Sequence, residues 1–597
     1  MGHHLRIAGR LRAGVGREQA QRETDVIART PVREFSRPAW AAMRRGLVLN
    51  SLQDDVTRGV RPALLAVLGA VLALLAIACV NVMNLLLARG AQRRGEFAMR
   101  AALGAGRMHM IQQLLTESLL LAALGGALGM LVAQFGVGAL IALSPQEVPR
   151  VSAIGVDGAV FAFALGITAL IGIVIGLIPA MHAYRHDLHI GLRQNSRSTV
   201  GGHQNTRRTL VVAEVALALV LLVSAGLLLR SIQRVFAISP GFNASHVLTM
   251  QVQTASHRLD GDNANRRFFA QALDAVRQVP GVTAAAFTSQ LPLSGDQFGA
   301  YGIRFESSAP GKQAGNESAL RYSVSPGYLE TMNIPLRRGR LLDRHDIAGA
   351  PVAVLINEGM ARRKFADGDA VGRRIHVGPD DWAWATIVGV VGDVKQTSLA
   401  AGTEDAFYMT IAQGWFADNP MSLVVRGRGD AAALAPAIKK AIWSVDKDQP
   451  ITKVSAMDTL VARSEAQRSF ALIVFEVFAF VALVLAATGI YGVLSGGVTE
   501  RMREIGVRSA LGASRADIVA LVVRQAMTLT GFGVVLGLAG AVMASRALIT
   551  LLFGVSRLDP ITYLGVIGML GSVSAIAAWV PAWRAARVDP TTTLRME

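Results

Sequence analysis

A chain of 597 residues that is 52% hydrophobic and only 17% charged, with a mean hydropathy of +0.40, is too apolar for an ordinary soluble enzyme. The formal charge of +18 would suit nucleic acid, but the arginines flank apolar runs and form no aromatic-interleaved stripe, which excludes strand binding. A single cysteine, Cys79, excludes disulfides within the chain, and its place in the run LLAIACVNVMNLLLA makes it a packing residue.

The N-terminal MGHHLRIAGRLRAGVGREQA has no apolar core and does not read as a secretory signal, and Arg6 stands where a myristoylation site needs Ser or Thr. A bilayer core of about 30 Å takes roughly 20 apolar residues as a helix. Seven runs reach that length: 63–89, 115–143, 158–183, 209–232, 469–497, 523–552 and 561–583. Arginines crowd the connections 90–114, 184–208 and 498–522 and the tail after 583, whereas the loops SPQEVPRVSAIGVDG and GVSRLDP hold one each. The rich side is therefore cytoplasmic. Arg230 and Arg234, just past the core of the fourth run, break that rule.

Polar groups inside the runs are few. Asn81 and Asn84 read as interhelical glue, and Gly125, Gly126 and Gly129, answered by Gly531, Gly533, Gly537 and Gly540, read as places of close helix approach. Glu214 and Glu476 are ionisable groups in spans, so they are either the acids of an ion-coupled carrier or groups hydrogen-bonded near the membrane interface. His182, His186 and His189 have helical spacing, but no Cys or Glu completes a tetrahedral set and no metal is expected.

Residues 233–468 contain no run of membrane length and lie outside by the same topology. HVLTMQVQT, TAAAFTSQL, ATIVGVVGDVKQ and MSLVVRGRG read as strands, and NRRFFAQALDAVRQV and AAALAPAIKKAIWSV as helices. The fold class is thus a polytopic α-helical membrane protein of about seven spans with a large extracytoplasmic α+β domain.

The chain also repeats itself. RRGEFAMRAALGAGR begins at Arg93 and RMREIGVRSALGASR at Arg501, an offset of 408, each after an apolar run. At a second offset of 402, IPAMHAYRHDLHIGLR from Ile178 matches VPAWRAARVDPTTTLR from Val580. Two parallel copies of one unit are present. In each motif a Glu precedes an Arg by four residues, Glu96 with Arg100 and Glu504 with Arg508, the favoured helical orientation for an ion pair. Glycines 104 and 512 then end the helix, and Ser514 with Asp517 can cap the next one. From the residues alone, these are either surface helices whose arginines hold lipid headgroups or helices that dock into a partner. No G-x-x-x-x-G-K-[ST], H-E-x-x-H or G-x-S-x-G occurs, so no nucleotide site and no hydrolase chemistry is expected.

A Glu-x3-Arg-x-Ala-Leu-Gly-Ala helix after one span, followed by a glycine-rich span, resembles the FtsX-like permease domain of ABC systems. PGYLETMNIPLRRGRLLDRHD from Pro326 and VAVLINEGMARRKFADGDAVGRRI from Val352 are similar to the MacB-type periplasmic core. The resemblance implies a permease subunit in the bacterial cytoplasmic (inner) membrane that binds no cofactor of its own. ATP would be held by a separate ABC ATPase subunit, and a periplasmic client or adaptor would be the outer partner. It also implies that Glu96, Arg100, Gly104, Arg107, Glu504, Arg508, Gly512 and Arg515 couple the chain to that ATPase.

The resulting map places a remnant of a first periplasmic domain at 1–62, a first three-span permease domain at 63–183 and a cytoplasmic linker at 184–208. The helix that opens the second repeat follows at 209–232, the MacB-type core at 233–468 and a second three-span permease domain at 469–597. The remnant rests on the likeness of RIAGRLRAGVGREQAQRETDVI to SLVVRGRGDAAALAPAIKKAI, and the front of the first repeat is expected to be missing. A membrane scaffold that regulates an envelope enzyme is the alternative from a different class.

Overall fold

The computed structural model describes residues 8–29, 48–57, 61–92, 99, 107–143, 155, 157–173, 201–254, 262–295, 299–306, 317–365, 369–377, 382–414, 418–500, 505, 507–508, 511 and 513–587. The chain divides into two compact units, Met1–Leu52 with Val235–Ala466, and Gln53–Arg234 with Gln467–Glu597.

The chain starts with α1 (Arg17–Arg29) and the short α2 (Leu52–Thr57). Four apolar helices follow: α3 (Arg61–Gln92), α4 (Arg107–Leu143), α5 (Gly158–Ile173) and α6 (Gly201–Phe236). Among the described residues six helices are long and apolar enough to cross a membrane, with segments Arg61–Leu87, Leu115–Ala139, Asn205–Phe236, Arg468–Val498, Arg515–Ala547 and Pro560–Ala585. The expected run 158–183 begins as α5, and its residues 174–183 lie outside the described residues.

The external unit is built on β1 (Val247–Val252), α7 (Asp262–Arg277) and β2 (Val282–Thr288). Next come β3 (Ala300–Phe305), β4 (Ser318–Val324), α8 (Tyr328–Met332), β5 (Leu336–Gly339), β6 (Ala353–Asn357), α9 (Glu358–Lys364), β7 (Arg374–Val377), β8 (Ala385–Val391) and β9 (Ala406–Thr410). Then β10 (Met421–Gly427), α10 (Ala435–Val445), β11 (Ile451–Ala456) and α11 (Met457–Ser464) lead back towards the membrane helices. Strand order β11-β1-β10-β2, all antiparallel, with α7 and α10 over the sheet, is a split β-α-β arrangement. Alternation explains it: Leu248, Met250, Val252, Leu423 and Val425 point inward at period two, against Phe269, Leu273 and Val276 of α7 and Ile438 and Ile442 of α10.

Everything from β3 to β9 is an insertion between β2 and β10. Pairings β4-β3-β7-β8-β6-β9 close through a parallel β9–β4 ladder, giving a six-stranded barrel filled by Ile303, Val354, Ile356, Ile375, Ile387 and Phe407. The motif PGYLETMNIPLRRGR is legible in this geometry. Gly327 and Asn333 bracket α8 in left-handed conformation, and at Gly339 (φ 75°) an added Cβ would meet the Cα of Gly389 across the β5–β8 pair at 2.7 Å. Just beyond, Arg340 grips Asp346 with two hydrogen bonds of 2.8 Å and holds its carboxyl below the usual carboxylate range.

One sequence expectation is only half met. Helix α1 forms as the comparison of RIAGRLRAGVGREQAQRETDVI with SLVVRGRGDAAALAPAIKKAI requires, but residues 8–12 form no strand. The corresponding β10 is held by ladders to β1 and β2, and residues 8–12 have no such pairing among the described residues. Instead Arg17 and Gln21 of α1 bind the backbone of Leu49, the guanidinium donating to its carbonyl (2.8 Å) and the amide oxygen accepting from its N–H (2.9 Å).

The membrane unit is completed by α12 (Ala466–Glu500), α13 (Arg515–Ala547) and α14 (Pro560–Ala585). The repeat reappears in the helix boundaries: Arg107 and Arg515 open α4 and α13 at the offset of 408, and Gly158 and Pro560 open α5 and α14 at 402. Even the caps correspond, Asp157 accepting from Val160 N–H (2.8 Å) and Asp559 from Thr562 N–H (2.9 Å). Helix α6 is the hub: 61% of its apolar span is buried, against none of α4.

Glycine makes that possible. Gly533, Gly537 and Gly540 of α13 press on Val215, Ala216 and Val220 of α6, and a Cβ at Gly537 would lie 2.9 Å from the Ala216 carbonyl oxygen. Gly126 of α4 likewise meets Thr168 of α5. Gly125, Gly129 and Gly531 face open space, so only part of the glycine pattern serves close approach. Gly537→Leu is expected to force α6 and α13 apart and destabilise the full chain in detergent by about 1–3 kcal/mol, whereas Gly531→Leu leaves it unchanged. Parallel thermal melts read the difference, and equal melting points for the two variants would refute this packing role.

Candidate functional site

The repeated motif is where the sequence placed function, and the structure describes it best in the second copy. Ile505 is buried against Ile518 of α13 and Ala585 and Ala586 at the end of α14. The turn it anchors closes through Leu511 N–H to the Val507 carbonyl (3.0 Å) and Ala513 N–H to the Arg508 carbonyl (3.0 Å). Ser514 and Asp517 then form the expected capping box, which fixes where α13 starts. Burial of Ile505 turns Val507, Arg508 and Leu511 outward, and Leu511 is 82% exposed. A clamped helical turn therefore offers two aliphatic side chains beside a guanidinium, with Arg515 exposed at the next helix start.

In the first copy Met99, the counterpart of Val507 at the offset of 408, is helical and 66% exposed, and Arg107 opens α4. Glu96, Arg100, Gly104, Glu504 and Gly512 lie outside the described residues, as do His182, His186 and His189.

Behind the motif, α3, α6 and α12 meet along a buried polar seam. The Asn81 side-chain amide donates to the Leu485 carbonyl (2.8 Å), and Arg207 donates to the Leu87 carbonyl (2.7 Å). Two helical turns from Arg207, and so on the same face of α6, Glu214 is wholly buried against Gly489, where a Cβ would collide with its carboxylate. Both Glu214 oxygens and the amide of Asn84 have no hydrogen-bond partner among the described residues. The sequence left Glu214 as either the acid of an ion-coupled carrier or a group hydrogen-bonded near the interface. The structure instead packs it into the bundle, because glycine on α12 leaves room for it there. Glu476 is exposed on α12, 13 residues before Gly489, which is about 20 Å along a helix. The two acids are not brought together.

At the outer end of α6 the polar contacts are satisfied. Arg230 forms an ion pair with Asp559, the cap of α14, and the Ser231 hydroxyl accepts from Phe553 N–H (2.8 Å). These residues bolt α6 to the α13–α14 connection. Sequence reasoning missed the bolt, although Arg230 had signalled it by breaking the charge rule: its charge is neutralised by a partner 329 positions away.

Comparison with known proteins adds the following. The FtsX-like permease C-terminal domain matches residues 68–188 and 476–590, and the MacB-like periplasmic core domain matches 158–441. An uncharacterized ABC transporter permease of Bacillus subtilis, YvrN, is 26% identical over 293 residues, 46% of this chain and 70% of that protein. The macrolide export ATP-binding/permease protein MacB of Neisseria meningitidis is 24% identical over 298 residues, 47% of this chain and 44% of that protein, so the chain spans less than half of that relative. Among solved structures, the periplasmic region of MacB from Actinobacillus actinomycetemcomitans aligns with 37% of this chain and 92% of its own length at 15% identity and a TM-score of 0.25.

The bolt is open to a double-mutant cycle. Arg230→Gln and Asp559→Asn, the latter keeping a capping side chain, are each expected to cost about 1–3 kcal/mol, and the double variant little more than either alone. Chemical or thermal denaturation in detergent measures it, and strictly additive losses would show that the two side chains do not act on each other.

Proposed function

We propose that this chain, a multi-pass inner-membrane permease of the FtsX-like and MacB type, converts ATP hydrolysis by a separate ATPase subunit into movement of its periplasmic domain. The observation that carries this reading is the clamped turn of the second repeat, whose motif the sequence repeats 408 residues earlier. Val507, Arg508 and Leu511 project from a turn clamped on α13 and α14, and Met99 projects at the equivalent place in the first repeat. A dimeric ATPase presents two equivalent clefts, and one chain that carries the motif twice in its sequence fills both.

The path of force then follows from the packing. Movement of the Ile505 turn carries the ends of α13 and α14, and the glycine face of α13 carries α6. Helix α6 is pinned outside by Arg230 and Ser231, but nearer its cytoplasmic end its polar contacts to α3 and α12 form only the partly satisfied seam around Glu214 and Asn84. Each unpaired buried polar group costs about 1–3 kcal/mol, so separating the seam is less costly than breaking the bolt. Helix α6 therefore pivots near its outer end, where the chain runs on into the periplasmic core. The motion serves export, as the names of the macrolide exporters suggest, or activation of a periplasmic client.

Reversing charge at Arg100 and Arg508 together (Arg→Glu) is expected to abolish capture of the ATPase, and Leu511→Asp to weaken it at least tenfold, roughly 1.4 kcal/mol, while membrane insertion is retained. Affinity capture of the full chain from membranes, with insertion followed by protease protection, provides the measurement. Undiminished capture by the Arg100/Arg508 variant would end the coupling assignment.

A further inference from the structure

Where α13 begins and α14 ends, a groove of about 440 Å³ opens between them, with Arg515 and Arg587 at its mouth, Trp583 on its wall and Val519, Ala520 and Val523 along its floor. The guanidinium of Arg587 lies 3.6 Å from the centre of the Trp583 ring, a stacking contact that fixes its charge in place. Asp517, the nearby acid, is spent on the cap of α13, where it accepts from the N–H (3.0 Å) and hydroxyl (2.7 Å) of Ser514. The arginines therefore face the groove without a competing carboxylate from that cap.

The floor residues, taken from Arg515 to Val523, run about 12 Å along one stripe of α13, from a charged end to an apolar one. Trp579 and Trp583 are 56% and 45% exposed beside it, as aromatic residues are at the level of lipid headgroups. A docking protein would match the charged mouth but not a floor that leads into the bilayer. A lipid matches both ends.

We propose that this groove binds an anionic phospholipid of the inner leaflet, its phosphate between Arg515 and Arg587 and the start of one acyl chain along Val519, Ala520 and Val523. Arg515, which the sequence assigned to the ATPase, thereby belongs to the bilayer. The inference needs only the membrane placement of α13 and α14 and is independent of the coupling reading. Arg524 supplies an internal control, because it lies on the same helix half a turn round from Arg515 and is not among the residues that line the groove.

The test is native mass spectrometry of the full chain released from vesicles containing equal phosphatidylglycerol and phosphatidylcholine, scoring the lipids that stay bound. The unmodified chain is expected to retain phosphatidylglycerol preferentially, and Arg515→Gln with Arg587→Gln to lose about tenfold or more of that preference, given about 1 kcal/mol for each arginine near a membrane surface. Ala520→Trp fills the floor without altering charge and is expected to lose it as well, which keeps the test decisive if the double variant fails to fold. Arg524→Gln should leave it intact. The proposal is overturned if the unmodified chain shows no preference, if Ala520→Trp keeps it, or if Arg524→Gln lowers it as much as the groove variants, which would indicate general surface charge. Loss of ATPase capture by Arg515→Gln with Arg587→Gln at undiminished lipid retention would equally overturn it in favour of a protein-docking surface.

Discussion

The close approach of α13 to α6 through Gly533, Gly537 and Gly540 is the constraint on which the membrane unit depends. In hydrocarbon there is no water to drive two apolar helices together, so dispersion across a tight, side-chain-free contact must do it. That contact makes α6 the buried centre of a bundle drawn from both repeats, with α3 from the first and α12, α13 and α14 from the second. It also makes α6 stiffly coupled along its length to the helix that starts beside the exposed Arg508 turn.

Polar groups are distributed unevenly along that buried centre. Outside, Arg230 and Thr562 both bind Asp559 while Ser231 binds the backbone of Phe553, and the α13–α14 connection cannot slide relative to α6 without breaking an ion pair. Inside, Asn81 and Arg207 reach backbone carbonyls, while Asn84 and Glu214 are enclosed without hydrogen-bond partners among the described residues. A bundle that is firm at one end and poorly satisfied at the other yields at the second. The asymmetry of hydrogen bonding is thus an asymmetry of stiffness.

Much of this was legible in the residues. Hydropathy located the spans, the offsets of 408 and 402 anticipated the shared starts of α4 with α13 and α5 with α14, and Ser514 with Asp517 announced the capping box. Alternation in HVLTMQVQT and MSLVVRGRG gave strands because both lie in a sheet covered on one face. What could not be read depends on distant partners. Whether a glycine serves close approach is decided by the helix opposite, so Gly533 and Gly531 look alike in sequence and differ in space. The ion pair of Arg230, the enclosure of Glu214 and the inward turn of Ile505 are likewise set by residues tens to hundreds of positions away. The failure of residues 8–12 to form a strand has the same origin, since a strand exists only where another lies beside it.

The insertion point of the β-barrel has a consequence for how such a protein diversifies. The chain departs after β2 and returns at β10, and these strands are direct neighbours, with Thr288 opposite Ser422. Entrance and exit are therefore one strand spacing apart, about 5 Å, a gap that a hairpin turn or an unrelated module could close equally well. The barrel can be exchanged, enlarged or trimmed over evolutionary time while the split β-α-β frame beneath it, and the helices that frame leads to, keep their architecture.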